Sequence, residues 1–151
     1  EENVITYELH IFTRTDHPNL EDFKSFTKLA DLKPYTYVNY IGDGWTKEYI
    51  VNKGYKVELF ASFHQVIPFL LAGRGDYTTM IKTSGRHIIK KTNAKDKIIS
   101  IQTPIPEMKG NPFTLGVSNK SSFSWILPKF EEELKKIKTD GTYQKIFDKY
   151  R

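Results

Sequence analysis

The sequence contains no cysteine among its 151 residues. This absence excludes disulfide bonds, thiolate metal sites and cysteine nucleophiles. Long hydrophobic runs are also missing, because no apolar stretch approaches the roughly 18 residues that a membrane-spanning helix needs. The chain starts with acidic residues, and no secretory signal peptide is visible after them. Since the chain does not begin with Met, we expect a processed chain or an excised piece of a longer one.

Charge of one sign is not concentrated anywhere in the chain. The formal net charge is +5, but lysines and glutamates are interleaved and no dense basic block occurs. We therefore expect no binding to nucleic acid. The hydrophobic fraction of 38% and the charged fraction of 27% are typical of a folded globular domain. Because aromatic residues make up 14% of the chain, the core and any ligand cleft are expected to be rich in Tyr and Phe.

Predicted strands and helices alternate along most of the chain. β-Branched and aromatic runs predict strands at 4–13, 35–41, 55–61, 76–82 and 97–102. Apolar residues at helical spacing predict helices at 20–32 (one or two short ones), 45–52, 63–72 and 85–92. This alternation predicts an α/β fold of three layers, in which a mixed, mostly parallel five-stranded sheet is covered by helices on both faces.

Capping and helix-breaking residues mark the ends of these predicted helices. Ser62 and Ser84 are the expected N-caps of the helices at 63–72 and 85–92. Gly73 is expected to end the first of these two helices. Pro68 lies inside that helix, so we expect a kink or an early break there.

The segment 113–151 is predicted to form a short strand followed by two amphipathic helices. The stripe on the first helix consists of Trp125, Ile126, Phe130, Leu134 and Ile137. The stripe on the second consists of Tyr143, Ile146, Phe147 and Tyr150. Each stripe predicts a helix that packs against another part of the protein.

A glycine-containing turn (GDGWT, 42–46) follows the second predicted strand and opens a helix. In open α/β sheets, ligands bind beyond the carboxyl ends of the strands, and a helix N-terminus favours an anionic group such as a carboxylate. The candidate ligand-binding residues here are Gly42, Asp43, Gly44, Trp45 and Thr46. We expect Trp45 to stack on the ligand and Thr46 to donate a hydrogen bond. A tight turn with Trp45 as a packing residue remains the alternative.

Two further candidate ligand-binding residues lie at the carboxyl end of the fourth predicted strand. Lys82 and Thr83 are expected there, opposite the first candidate site. The Lys82 ammonium group can meet an anionic group of a ligand. The alternative is a solvated surface lysine.

Residues suited to catalysis or metal binding do not occur in a recognisable pattern. Four histidines are present, but none has a second histidine at metal-binding spacing. No serine lies in a nucleophile elbow, and no pair of carboxylates suggests acid–base catalysis. The residues by themselves therefore indicate no metal, no cofactor and no catalytic group.

Three segments together resemble the sequence pattern of one known family. The tail 134–146 (LKKIKTDGTYQKI) is similar to the family's ending, a helix followed by a Gly-Thr-Tyr turn. The segment 57–77 (VELFASFHQVIPFLLAGRGDY) is similar to its GR.D stretch. The segment 29–33 (LADLK), followed by a strand and Gly42, is similar to a third pattern. This family is the bacterial extracellular solute-binding proteins of family 3, which have the type II periplasmic-binding-protein fold and serve amino-acid ABC transporters.

The resemblance implies a clamp of two lobes that closes on a ligand about a hinge. Residues 1–118 resemble the second lobe with its hinge strands, the outgoing one at about 5–13 and the return one at about 113–118. Residues 119–151 resemble the C-terminal helices that pack on the first lobe. The first lobe, which in the family supplies aromatic walls and an arginine for the ligand carboxylate, has no counterpart in this chain.

One strand end departs from the family pattern. The family often has an acidic residue there, which holds the α-amino group of the ligand. This chain has Met80, Ile81 and Lys82 in that region. The departure leaves the identity of the ligand open.

The resemblance implies the substrate-binding component of an ABC transporter, or a fragment of one, located in the periplasm. Its ligand would be a small polar solute such as an amino acid, and its protein partner in the full-length form would be an ABC permease. With half of the cleft missing, this chain alone is expected to bind weakly or not at all. The alternatives are an enzyme of the same fold, such as a cyclohexadienyl dehydratase-like protein, and a ligand-sensing domain. We also expect a homo-oligomer formed through exposed C-terminal helices.

Overall fold

The structure is a computed structural model that describes residues 2–110 and 112–149. The chain divides into two units. We call Glu8–Lys109 the sheet unit, and Glu1–Tyr7 together with Gly110–Arg151 the C-terminal unit.

Regular elements alternate in the order that the sequence pattern predicts. The strands are β1 Ile5–Thr6, β2 Leu9–Arg14, β3 Tyr37–Tyr40, β4 Val57–Phe60, β5 Tyr77–Ile81, β6 Ile98–Ile101 and β7 Pro112–Phe113. The α-helices are α1 Leu20–Ser25, α2 Gly44–Tyr49, α3 Val66–Leu71, α4 Lys82–Lys91, α5 Ile126–Thr139 and α6 Thr142–Lys149. Short 3₁₀ helices occur at Leu29–Leu32, Val51–Lys53, Phe63–Gln65 and Pro106–Met108.

The sheet unit is built on five strands in the order β4-β3-β5-β2-β6. Strand β3 pairs in parallel with both β4 and β5, whereas β2 pairs antiparallel with both β5 and β6. All strands of this sheet except β2 therefore run in the same direction. The prediction of a mixed, mostly parallel five-stranded sheet is confirmed.

Helices α3 and α4 cover one face of this sheet with an apolar core. Phe12 and Val38 of the sheet are fully buried there against Leu70 of α3 and Ile89 of α4. A Cβ atom added to Gly85 of α4 would lie 2.2 Å from the Phe12 ring. The helix backbone therefore approaches the sheet at a distance that only glycine permits.

Helices α1 and α2 cover the opposite face. Phe23 of α1 is fully buried, with its ring centroid 5.7 Å from that of Tyr77 in β5. Thr46 of α2 contacts Tyr37 of β3 on the same face. Helices on both faces confirm the predicted three-layer fold.

The predicted cap at Ser62 agrees with the structure, whereas the break predicted at Pro68 does not occur, because α3 continues through this residue. Ser62 accepts a hydrogen bond from the His64 N–H at 3.3 Å and caps the 3₁₀ helix Phe63–Gln65. Helix α3 follows directly, with Pro68 in its first turn, where a missing N–H removes no intrahelical bond. Gly73 then has φ of +69°, as a residue that ends a helix often does.

Two boundary predictions near the units' ends are wrong. The predicted strand 4–13 is two strands, β1 and β2, because the chain passes from the C-terminal unit to the sheet unit between Tyr7 and Glu8. The predicted return strand 113–118 is regular only at Pro112–Phe113, which pairs antiparallel with β1. The role of these segments as hinge strands stays a prediction.

Ser84 is not the N-cap of α4, contrary to the sequence prediction. The helix begins at Lys82, and Ile81 occupies the N-cap position. Lys82 and Thr83 therefore lie in the first turn of a helix and not at a strand end. Gly85, which packs against the Phe12 ring, is therefore the fourth residue of this helix and not its first.

The C-terminal unit consists of the β1–β7 pair and helices α5 and α6. The Tyr143 hydroxyl of α6 donates to the Val4 carbonyl oxygen at 2.8 Å, and Lys138 of α5 forms an ion pair with Glu2 at 2.8 Å. Leu134 is buried, as the stripe predicts. Tyr150, the last residue of the second predicted stripe, lies outside the described residues. Among the described helices, none is long and apolar enough to cross a membrane.

Candidate functional site

The carboxyl ends of β3 and β5 form a topological switch point. These strands are neighbours and parallel, with Tyr37 in register with Tyr77. The helix after β3, α2, packs on one face of the sheet, and the helix after β5, α4, packs on the other. Chains that leave adjacent parallel strands toward opposite faces open a crevice, and open α/β sheets bind ligands there. We call this place the switch-point edge; residues 42–46 and 82–83 lie on it.

Asp43 holds the start of α2 in place. Its side chain is the N-cap, and Oδ2 accepts the Thr46 N–H at 2.9 Å. The same oxygen accepts the Thr46 hydroxyl and the Asn39 side-chain amide, the latter at 3.3 Å. The carboxylate also lies where the partial positive charge of a helix N-terminus favours it. The Asp43 carboxylate is therefore occupied by one backbone donor and two side-chain donors of the chain itself.

The Tyr37 hydroxyl lies at the centre of a buried polar network beneath this turn. It lies 2.9 Å from the Thr46 hydroxyl and 2.8 Å from the Thr79 hydroxyl, and it accepts from the Asn39 side-chain amide at 2.7 Å. Burial raises the pKa of Tyr37 to about 12, so the phenol is neutral at physiological pH. The network joins β3, β5 and α2 and fixes the switch-point edge from below.

The residues predicted to bind the ligand within 42–46 lie in three different environments. Gly42 and Gly44 are exposed, and Gly42 has φ of +103°, which favours glycine. Trp45 is half-buried, and its Nε1–H donates to the Glu107 carbonyl oxygen at 2.8 Å. Thr46 is only 2% exposed, and its hydroxyl is bonded inside the network.

Lys82 and Thr83 are the first two residues of α4. Lys82 is half-buried and Thr83 is exposed. In the described part of the chain, no side chain caps this helix. The strand register thus brings 42–46 and 82–83 to one edge of the sheet, as the sequence predicts. Their roles as ligand-binding residues stay predictions.

Sequence reasoning missed the residues that support this edge. Tyr37, Asn39 and Thr79 were interpreted only as parts of strands. The available signal was polarity at strand positions that face a covered side of the sheet, since such residues need partners. Within the described residues, no cluster of three or more histidine, cysteine, aspartate or glutamate side chains has a geometry that could hold a metal ion.

Neither family models nor curated proteins match this sequence. Solved structures do. A mutant of ArgBP from T. maritima has a TM-score of 0.74 at 19% identity, over 99% of this chain and 60% of that chain. The substrate-binding protein of an amino acid ABC transporter has a TM-score of 0.67 at 20% identity, over 99% of this chain and 62% of that chain. The ancestral amino acid-binding protein AncCDT-1, a precursor of cyclohexadienyl dehydratase, has a TM-score of 0.69 at 17% identity, over 99% of this chain and 60% of that chain.

The chain has the type II periplasmic-binding-protein fold. This finding confirms the fold that the sequence resemblance implies. The chain spans about 60% of the length of these solved proteins.

Proposed function

We propose that this chain is the substrate-binding component of an ABC transporter, or part of one, and that it binds a small polar solute such as an amino acid. The observation that carries the proposal is the switch-point edge, where two helix N-termini meet on adjacent parallel strands. Such an edge suits a polar ligand with an anionic group. The fold adds support, because an ABC transporter's substrate-binding protein is among the similar structures.

The residues assigned to the solute are those that the sequence indicates. Gly42, Asp43, Gly44, Trp45 and Thr46 form the turn on one side of the edge. Lys82 and Thr83 open the helix on the other. Backbone groups of the turn are better placed for contact than the Thr46 hydroxyl, which is buried. Binding without chemistry is sufficient for this role, so we propose that the protein is not an enzyme.

A second wall is needed to enclose a solute. Because the chain spans about 60% of the similar structures, we propose that a first lobe completes the cleft and that closure of the two lobes traps the solute. The proposed location is the periplasm, and the proposed protein partner is an ABC permease. Genes for a permease and an ATPase beside the coding sequence would support this assignment.

An enzyme of the same fold is the second candidate, and one similar structure favours it. AncCDT-1 is a binding protein and also a precursor of cyclohexadienyl dehydratase. Catalysis at the switch-point edge would require an acid or base, and Asp43 and Lys82 are the candidates. Turnover that disappears in Asp43→Asn would favour this alternative. A ligand-sensing role is a third candidate, since a histidine kinase sensor domain has a TM-score of 0.66 with this chain.

The proposed binding is testable with saturation-transfer difference NMR, which detects ligands of millimolar affinity. The chain would be mixed in turn with each common amino acid. We expect a signal from a subset of polar amino acids that is weakened by Lys82→Gln. The matched control is Lys90→Gln, at the other end of the same helix, which should leave the signal unchanged. A signal that Lys82→Gln and Lys90→Gln weaken equally, or that neither variant weakens, would contradict the assignment of Lys82 to the solute.

We also propose self-association through the C-terminal unit. Leu134 is the one hydrophobic residue that is buried among the described residues of this unit. Large apolar side chains stay exposed there, namely Phe113, Phe123, Trp125, Ile126 and Ile146. Exposed apolar surface of this kind favours contact with another protein surface. A second copy of the chain is the proposed partner when no first lobe is present.

A further inference from the structure

Strand β4 forms an open edge of the five-stranded sheet. It has a neighbouring strand, β3, on one side only. The carbonyl oxygens of Lys56 and Phe60 accept N–H groups from the β3 segment. Because successive backbone groups of a strand point to opposite sides, those of Val57 and Leu59 point away from β3. They have no hydrogen-bond partner among the residues that the structure describes, so this edge can accept a further strand.

A groove of about 450 Å³ runs beside this edge, along the outer side of α3. Its lining includes Phe60 of β4 and, from the α3 segment, His64, Gln65, Pro68, Phe69 and Ala72. The ring centroids of Phe60 and Phe69 lie 4.5 Å apart and form a half-buried aromatic floor. From His64 to Ala72 the groove follows the helix for about 12 Å. This length matches about four residues of extended chain, so an elongated occupant fits better than a compact one.

Arg74 adds a positive charge at one end of the groove. Its guanidinium carbon lies 5.9 Å from the centroid of the Phe69 ring. The guanidinium group forms no ion pair with a carboxylate of the described residues. Glu58 and Lys56 share one face of the β4 segment with Phe60 and balance each other in charge. Arg74 therefore leaves an excess of positive charge, and a carboxylate is its natural complement.

We propose that the β4 edge and this groove bind an extended segment of another protein, in which an aromatic and an acidic side chain lie two residues apart. The segment would pair with the outward backbone groups of Val57 and Leu59. Its aromatic side chain would cover the floor of Phe60 and Phe69, and its carboxylate would bind Arg74. Side chains two positions apart on a strand share a face and lie about 7 Å apart, which fits the 5.9 Å between floor and guanidinium group. None of these residues belongs to the switch-point edge, so the inference does not rest on the proposed function.

The direction of α3 sets the order of the two side chains. Strands β4, β3 and β5 are parallel, so α3, which connects β4 to β5, runs back toward the amino end of β4. Arg74 follows α3 and lies toward that end, whereas Phe60 is the last residue of β4. A segment added antiparallel, the more stable pairing, therefore needs its aromatic residue first and its acidic residue second. The β4 strand of a second copy has the opposite order, because Glu58 precedes Phe60, so a different protein is the proposed partner.

Amide chemical-shift titration of the ¹⁵N-labelled chain tests the site with a blocked peptide. The probe is a threonine hexapeptide with phenylalanine at its third position and aspartate at its fifth. One control peptide has asparagine in place of aspartate, and a second has phenylalanine and aspartate exchanged. We expect saturable shifts at the amides of Val57 and Leu59 and at Arg74 Nε–H. Affinity should be about tenfold weaker for each control peptide, because each loses the hydrogen bonds between carboxylate and guanidinium group.

Variants of the chain test the two parts of the site separately. Arg74→Gln should remove the preference for aspartate over asparagine. The matched control is Arg86→Gln, at an exposed arginine of α4, which should keep that preference. Leu59→Pro should weaken binding of every peptide, because proline there removes an outward N–H group and leaves the bonds to β3 in place. If Leu59→Pro does not fold, the comparison of Arg74→Gln with Arg86→Gln is decisive.

Three results would overturn the proposal. The first is shifts no larger than those caused by a blocked hexapeptide of threonine alone, or equal affinity for the probe and its two control peptides. The second is a preference for aspartate that survives in Arg74→Gln. The third is a lower mass of Leu59→Pro than of the parent chain in light scattering, since a second copy would then occupy the edge.

Discussion

The hydroxyl groups of Tyr37 and Thr46 lie 2.9 Å apart, in side chains that are at most 2% exposed. This contact links strand β3 to the first turn of α2. Because Thr79 of β5 bonds the same phenol, the two strands and the helix are fixed together at the switch-point edge.

Removal of the Tyr37 hydroxyl should destabilise the protein. Tyr37→Phe leaves the polar groups of Asn39, Thr46 and Thr79 short of a buried partner, which costs about 1–3 kcal/mol in the free energy of unfolding. Urea unfolding measures the change. The control is Tyr35→Phe, which removes a bond to the exposed Asp22 carboxylate and should cost less. Equal losses in the two variants would contradict the role of the network.

The N-cap role of Asp43 can be tested by comparing a variant that removes the side-chain acceptor with one of the same shape that keeps it. Asp43→Ala removes the acceptor for the Thr46 N–H and should cost about 0.5–2 kcal/mol in the free energy of unfolding. Asp43→Asn keeps an oxygen acceptor and should lose less. Thermal and urea unfolding of the pair measure both. A larger loss in the free energy of unfolding in Asp43→Asn than in Asp43→Ala would mean that the carboxylate has a role other than capping.

Close packing at Gly85 predicts a steric effect. A Cβ atom there would lie 2.2 Å from the Phe12 ring, so Gly85→Ala should destabilise the sheet unit by about 1–3 kcal/mol. Gly44→Ala is the matched control, because nothing lies within 4 Å of a Cβ at that position. Comparable stability of the two variants in urea would show that α4 does not approach β2 as described.

His10 predicts a dependence of stability on pH. Burial lowers its pKa in the folded protein, so the unfolded chain binds a proton more readily. The contribution of His10 to the free energy of unfolding is fully present above the usual histidine pKa of about 6.5. It is lost as the pH falls toward the pKa of His10 in the folded protein. His10→Gln should therefore flatten the fall in stability between about pH 7 and pH 5. His87→Gln, at an exposed residue, should retain the parent's slope, and a flattened slope there instead would contradict the prediction.

If the chain self-associates through its C-terminal unit, a single substitution on that surface should lower its molecular mass in solution. Trp125 is 57% exposed at the start of α5, and Trp125→Lys should shift a dimer or larger species toward the monomer. Light scattering after gel filtration, over a wide range of concentration, measures the mass. Leu59→Lys is the control, because Leu59 is 37% exposed in the sheet unit and should leave the mass unchanged. A monomer at every concentration in the parent chain would refute the proposal.

The sheet was predictable from the sequence because its signals are local. Runs such as YTYVNYI and turns such as GDGWT specify a strand and the start of a helix within a few residues. The start of α4 was not predictable in this way. Ser84 has the chemistry of an N-cap, but the helix begins at Lys82, and Ile81 at its N-cap position makes no side-chain capping hydrogen bond. A residue with capping chemistry is therefore not sufficient to predict where this helix begins.

The location of the candidate site was predictable from the sequence, but the groups that point outward there were not. Strand order brings 42–46 and 82–83 to one edge, and the βα pattern indicates this. Which groups point outward depends on contacts between distant segments. Thr46 is turned inward by Tyr37, and Trp45 is held by the Glu107 carbonyl oxygen. No sequence pattern around GDGWT carries that information.

Amide chemical-shift mapping with polar amino acids tests the central claim most directly. The account predicts that at least one amino acid causes saturable shifts at residues 42–46 and 82–83, with millimolar affinity for this chain alone. The sheet face under α3 should show no shifts. Saturable shifts confined to other surfaces would contradict binding at the switch-point edge.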